Sequence, residues 1–112
     1  EALDDYIDGL ALAHEYDDPN LLNAALESLV QRERDRGQFA VAARLMSLSD
    51  FIRRSHSAPE RRSNATGTAE ARASLRAALG DEAYEQCVAE GEAETVEAVL
   101  ERIRGERDSS PR

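Results

Sequence analysis

The chain has 112 residues and a formal net charge of −9, with 23 acidic residues against 14 basic ones. Its length suits one domain, and its charge argues against nucleic-acid binding, because basic side chains that neutralise phosphates dominate that affinity. Hydrophobic residues make up 41% and aromatic residues 4%, which favours thin, alanine-rich helices over a thick aromatic core. The single cysteine, Cys87, excludes an intrachain disulfide and a multi-cysteine metal site.

Cysteine usage and the lengths of the apolar runs predict where the protein resides. A lone cysteine is typical of a reducing, cytoplasmic setting. The apolar runs are only a few residues long and no charged-then-apolar leader is present, so we expect no membrane association. The chain begins at Glu1, without Met and within a helical pattern, so we expect a fragment of a longer protein.

The first two helices are predicted on either side of a turn at residues 17–19. Residues 2–16 carry apolar side chains at the i, i+3, i+4, i+7 spacing of one helix face. Asp18 can accept from free N–H groups at the start of a second helix, and Pro19 suits its first position. This helix is predicted to end at Gly37, which tolerates the left-handed conformation that terminates helices.

A third helix is predicted over residues 38–56, with an apolar stripe wide enough to contact neighbours on two sides. Together with the second helix it forms a helical hairpin whose neck lies at Gly37, and Ala42 is expected at the closest approach of the helices. Such hairpins bury too little surface alone and usually stack, which favours scaffold or interaction roles over chemistry.

Turn-forming residues predict a loop over 57–67, after a hairpin region at 1–56. Three capping helices are predicted over 68–105, the second of them capped by Asp81 and interrupted at Gly91. Residues 106–112 are predicted to be a frayed tail.

The predicted fold is therefore all-α, a tetratricopeptide-like hairpin array of about six helices at the end of an α-solenoid.

Charge is unevenly distributed along the chain. Residues 1–30 hold eight acids and no base, residues 31–62 hold eight Arg against four acids, and residues 63–112 hold eleven acids against six Arg. The opposite charges can simply meet between neighbouring helices. Alternatively, the Arg-rich middle docks an acidic partner surface, and direct DNA contact is a third alternative. The candidate interaction surface comprises Leu12, Arg53, Arg54, Arg61 and Arg62.

No residue pattern predicts a catalytic, metal or cofactor site. His14, His56 and Cys87 lack the ligand spacing of a zinc site. Cys87 shares an apolar helix face with Tyr84 and Val88, which favours a buried side chain over a nucleophile. No glycine-rich phosphate loop is present, and no pattern indicates carboxylates paired in a pocket. We therefore expect a protein that is not an enzyme and that binds no cofactor or metal.

The hairpin around Gly37 resembles a tetratricopeptide repeat. The matching positions are Leu26, Leu29, Gly37, Phe39, Ala42 and Met46. The sequence departs from that family at three positions, where the family prefers a small residue, an aromatic residue and a proline. These positions hold Val30, Glu33 and Arg54.

A longer pattern over residues 10–100 resembles the C-terminal helical region of large bacterial, especially actinobacterial, LuxR-type transcriptional regulators with AAA-like signal-transduction ATPases. The pattern combines the hairpin, residues 41–46 and 52–54, a proline-bearing loop, residues 75–80, Tyr84, and residues 89–91. The resemblance implies a regulatory domain that mediates protein–protein contacts or signal transmission, with the parent polypeptide as partner. The alternative is a free-standing structural or self-associating helical domain with no output of its own.

The first helix resembles the second half of a preceding hairpin, because the small–bulky–small pattern at residues 2–9 recurs at residues 42–49. In a repeat array the missing first half would cover the helix face that carries Leu12. We therefore expect a second copy of the chain to cover this face as a dimer, since large apolar patches seldom stay exposed.

Overall fold

Six α-helices and no strand make up the regular secondary structure of the residues that the structure describes. This computed structural model describes the backbone of residues 2–55 and 62–109 and the side chains of residues 4–55 and 69–108. The helices are α1 (Ala2–Glu15), α2 (Pro19–Asp35), α3 (Phe39–Ser55), α4 (Arg62–Leu79), α5 (Asp81–Glu92) and α6 (Val96–Ser109). The all-α prediction is confirmed, whereas the tetratricopeptide-like array stays a prediction.

The start of α2 follows the predicted chemistry. The Asp18 carboxylate accepts from the backbone N–H groups of Asn20 at 3.0 Å and Leu21 at 3.3 Å. Pro19 is the first helical residue, where its missing N–H group is no loss. The sequence signal and the structure therefore agree on where this helix begins.

The turns that follow α1 and α2 close in the same way. Asp17 and Gly37 both adopt a positive φ, of 52° and 78°. In each turn the next backbone N–H donates to a carbonyl five residues earlier, at 3.2 Å after Asp17 and 2.8 Å after Gly37. This closure satisfies carbonyls at the helix end and reverses the chain, so α1, α2 and α3 run up, down and up.

Helix α3 lies at the centre of the fold and packs against α2, α4 and α5. Residues 45–50 are all buried, and so span every side of the helix. The buried residues of α3 are Ala42, Ala43, Leu45, Met46, Ser47, Leu48, Ser49, Asp50 and Ile52. Helix α1 packs against α2 and α6, so the core has α3 at its centre and α1 and α6 on one side.

Gly91 does not interrupt a helix, as the sequence suggested, but lies inside α5 and is buried. A Cβ added there would clash with the backbone carbonyl of Arg44 and lie 2.5 Å from Ser47 Cβ. Ser47 Oγ also donates to the carbonyl of Val88 at 2.7 Å. The glycine therefore permits close approach of α5 to α3.

Two further predicted boundaries differ from the structure. Helix α4 starts at Arg62, so residues 62–67 are helical and not loop, while residues 57–61 lie outside the described residues. Weak helix formers cost about 1 kcal/mol or less each, and a helix that is packed further along can absorb that cost. Asp81 is the first residue of α5 and not its cap, because Gly80 holds the cap position with φ 89°.

The predicted frayed tail is also partly wrong. Helix α6 continues to Ser109, and residues 110–112 lie outside the described range. The carboxylate of Glu106 is held by two arginines of α2, Arg32 and Arg36, which anchors the last turns of α6.

Ala42 is fully buried in α3, so Ala42→Leu should overpack the site and lower the free energy of unfolding by about 1–3 kcal/mol. Ala24→Leu, on the exposed face of α2, is the matched control and should change it little. Urea unfolding of the three proteins measures the effect, and equal stability of Ala42→Leu and the parent would contradict this packing.

Replacing each of two helix glycines by alanine should change the stability of the protein in opposite directions. Gly91→Ala should destabilise the protein by about 1–3 kcal/mol, because its new Cβ meets α3. Gly105 lies in α6 with no atom within 4 Å of an added Cβ, so Gly105→Ala should stabilise by up to about 1 kcal/mol. Thermal unfolding of both variants provides the measurement. If both variants were stabilised, the close approach of α5 to α3 would be wrong.

Candidate functional site

The described members of the predicted interaction surface lie on separate helices. Leu12 is 51% exposed on α1, and Arg53 and Arg54 lie in the last turn of α3. Arg61 is outside the described residues, and Arg62 begins α4 with its side chain also outside them. Helices α1 and α3 do not pack against each other within the described part of the chain. The structure therefore does not bring Leu12 together with Arg53 and Arg54.

The two described arginines of this set already have acidic partners. Arg53 Nη1 lies 2.9 Å from Asp50 Oδ1, and its Nη2 lies 3.9 Å from Glu27 Oε2. Arg54 Nη2 lies 3.3 Å from Glu92 Oε2 on α5. These pairs favour the interpretation that opposite charges meet between neighbouring helices, and they leave less positive charge available to an acidic partner.

A buried carboxylate, Asp50, is the polar centre of the α3–α4 contact. Arg72 of α4 donates to both carboxylate oxygens, with Nη1 2.5 Å from Oδ2 and Nη2 2.8 Å from Oδ1. The hydrogen bond with Asp50 raises the pKa of Arg72, against the opposing effect of burial. The charge and apolar patterns did not predict this site, although an acid inside an apolar stripe, three residues before Arg53, is a usable signal for it.

A second network joins the end of α2 to the end of α6; its four members, Arg32, Glu33, Arg36 and Glu106, are called the clasp below. Glu33 is buried, and its two oxygens lie 2.5 Å from Arg32 Nη1 and 3.2 Å from Arg36 Nη1. Glu106 Oε2 lies 3.2 Å from Arg32 Nη2 and 2.8 Å from Arg36 Nη1. Burial raises the pKa of Glu106, but the two arginines outweigh that effect and leave it below its ordinary value.

An open cleft of about 320 Å³ lies between α6 and the α2–α3 hairpin, beside the clasp. Its floor is apolar and buried, and its rim is charged. The lining residues are Leu29, Glu33, Arg36, Gln38, Val41, Leu45, Val99, Arg102, Ile103 and Glu106. The cleft shows that α6 covers the hairpin without filling the space against it.

Apolar side chains are exposed on the outside of α1. Tyr16 is 68% exposed in the turn that follows α1, and its N–H group donates to the carbonyl of Leu12 at 3.1 Å, so it lies one turn beyond Leu12 on the same side. Leu21 follows at the start of α2 with 48% exposure, and Phe51 of α3 is 43% exposed. Leu12 and Tyr16 are called the α1 outer face below. The helical pattern of the sequence predicted Leu12 as an interaction residue but not Tyr16.

The described residues contain no group of three or more metal-binding side chains placed to hold a metal ion. Cys87 is buried in α5, and burial raises the pKa of its thiol, so the thiolate that reacts as a nucleophile is disfavoured. No helix in the described ranges is long and apolar enough to cross a membrane.

Comparisons with known proteins give no match to a family model, a curated protein or a solved structure. The likeness to tetratricopeptide repeats and LuxR-type regulators therefore rests on the sequence pattern alone.

Removing the charge of Asp50 should destabilise the fold, because the partly buried Arg72 then loses its carboxylate partner. We expect Asp50→Asn to cost about 2 kcal/mol, less than a fully buried pair would, since Arg72 is 41% exposed. Asp8→Asn, at an exposed position of α1, makes the same change of charge as a control. Urea unfolding measures the free energy of unfolding of both variants, and equal stability of Asp50→Asn and Asp8→Asn would contradict the role given to Asp50.

Proposed function

We propose that this chain is a non-catalytic helical interaction domain that makes protein–protein contacts. The observation that carries the proposal is the α1 outer face, where Leu12 and Tyr16 are 51% and 68% exposed. A tyrosine next to the end of a fixed helix can serve as an anchor of a protein interface, because it buries a large ring at low entropic cost.

The opposite side of α1 supports this role, because it holds the helix in place. Ile7, Leu10 and Ala13 are at most 3% exposed and belong to the main core. An interface residue binds more tightly when its helix is already ordered, since less freedom is lost on association. The α1 outer face therefore meets a partner from a pre-formed helix.

We place the domain in the C-terminal part of a larger, cytoplasmic bacterial transcriptional regulator, where it would carry contacts or transmit a signal. The support is the LuxR-type pattern over residues 10–100. The partner would be the rest of the parent polypeptide or a second copy of this chain. The alternative is a free-standing, self-associating helical domain, and the length of the parent gene, with or without nucleotide-binding and helix-turn-helix motifs, separates the two.

Nucleic acid is not the proposed partner of this region. Its net charge is −9, and several arginines of its basic middle are held by carboxylates. Arg32, Arg36, Arg53 and Arg54 all lie within 4.0 Å of an acid. Binding to phosphates would require these pairs to break without the excess of positive charge that drives such association.

Self-association through the α1 outer face is the direct test. We expect the parent chain to dimerise with rising concentration and Leu12→Glu to shift it toward monomer, because burying a charge in an apolar contact is costly. Ala83→Glu adds the same charge at an exposed position of α5 and should not change the association. Sedimentation velocity over a wide concentration range measures this. A strict monomer that Leu12→Glu leaves unaffected would contradict a second copy as the partner.

A further inference from the structure

Helix α6 lies across a groove formed by α1, α2 and α3, but its backbone approaches only α1 closely within the described part of the chain. Its side chains share the 320 Å³ cleft with α2 and α3. The connection to α5 is the short segment 93–95. Helix α6 is therefore tethered by a few residues and rests on the groove less closely than α2 and α5 rest on α3.

The apolar residues of α6 follow the pattern of a helix that binds in a groove. The buried residues are Val96, Val99, Leu100 and Ile103. Their spacing is i, i+3, i+4 and i+7, which is the anchor pattern by which amphipathic helices bind grooves of other proteins. The groove therefore has the shape and chemistry to bind an amphipathic helix.

Polar contacts hold α6 at both ends, and all of them involve exposed or partly exposed groups. Glu97 Oε2 lies 3.1 Å from His14 Nε2, and Arg107 Nη1 lies 3.3 Å from Asp4 Oδ1. The clasp adds the contacts of Glu106. The pairs of His14 and Asp4 are exposed, contribute little to stability and are screened by salt, so the clasp, in which the Arg32 side chain is 16% exposed, is the polar contact that anchors α6.

The clasp also specifies a charge for the occupant of the groove. Without Glu106, Glu33 would be the one described carboxylate within 4.0 Å of Arg32 and Arg36, which leaves one uncompensated positive charge at that end. An occupant with a carboxylate ten positions after its first apolar anchor, as Glu106 follows Val96, restores the balance. A helix with a basic residue there would be repelled.

We propose that α6 is an internal occupant of a binding groove, and that an acidic amphipathic helix of a partner protein displaces it. The partner helix carries apolar residues at i, i+3, i+4 and i+7 and a carboxylate at i+10. This surface differs from the α1 outer face, so it goes beyond the interaction role proposed above and can fail independently of it.

A fluorescent peptide with the sequence of residues 94–109 tests the groove in the intact chain. The probe is titrated with the 112-residue protein and binding is followed by anisotropy. Glu106→Arg in the chain breaks the clasp and should tighten probe binding about tenfold, because apparent affinity scales with the fraction of open groove. Glu101→Arg, an equal charge change at an exposed position of α6, is the matched control and should change the affinity little.

A second probe carries Glu106→Arg within the peptide and should bind every version of the chain more weakly than the first probe. Circular dichroism checks that each variant chain is folded. If Glu106→Arg unfolds the chain, Glu106→Gln replaces it, with Glu101→Gln as the matched control. Equal probe affinity for the Glu106 and Glu101 variants, or equal binding of the two probes, would overturn the proposal. Leu12→Glu should leave probe binding unchanged. If this variant no longer bound the probe, the probe would lie on the α1 outer face and the proposal would be wrong.

Discussion

The burial of the middle of α3, residues 45–50, on every side is the constraint on which the rest of the structure depends. A helix surrounded by α2, α4 and α5 can be packed closely only where small residues meet, as Ser47 of α3 meets Gly91 of α5. Its buried polar groups also need partners. Ser49 donates to Asn23 of α2 at 2.7 Å, and Asp50 pairs with Arg72 of α4. These contacts fix the three neighbouring helices relative to α3.

The two helices that do not contact α3 closely in the described part of the chain, α1 and α6, are attached to the fold in different ways. Helix α1 is held by apolar packing against α2 and shows the α1 outer face to solvent, whereas α6 is joined to the fold by one apolar row and exposed ion pairs. One central scaffold thus carries two separate surfaces, one open and one occupied by the chain itself. Under the two proposals, one partner binds the α1 outer face while another displaces α6 from its groove.

Local signals in the sequence predicted the first three helices well. Asp18 as a cap, Gly37 as a turn and Ala42 as a buried residue depend only on neighbouring residues and on helical period. The role of Gly91 and the extent of α6 could not be predicted in that way. The role of Gly91 depends on close packing of α5 on α3, and the extent of α6 depends on the contact of Glu106 with arginines 70 or more residues away.

The candidate site was predicted less well than the fold, for the same reason. Helical period placed Leu12 on an outward face of α1, and the structure leaves it exposed. A count of charges in one segment, however, cannot show that Arg53 and Arg54 are paired with acids from α2, α3 and α5.

Native-state hydrogen exchange of the unmodified chain in low urea tests the central claim most directly, namely that α6 is separable from the scaffold around α3. We expect α3 amides to exchange only on global unfolding, and α6 amides to exchange through an opening of lower free energy and smaller urea dependence. If α6 amides exchanged with the same free energy and the same urea dependence as those of α3, α6 would be part of the fixed core and the claim would be wrong.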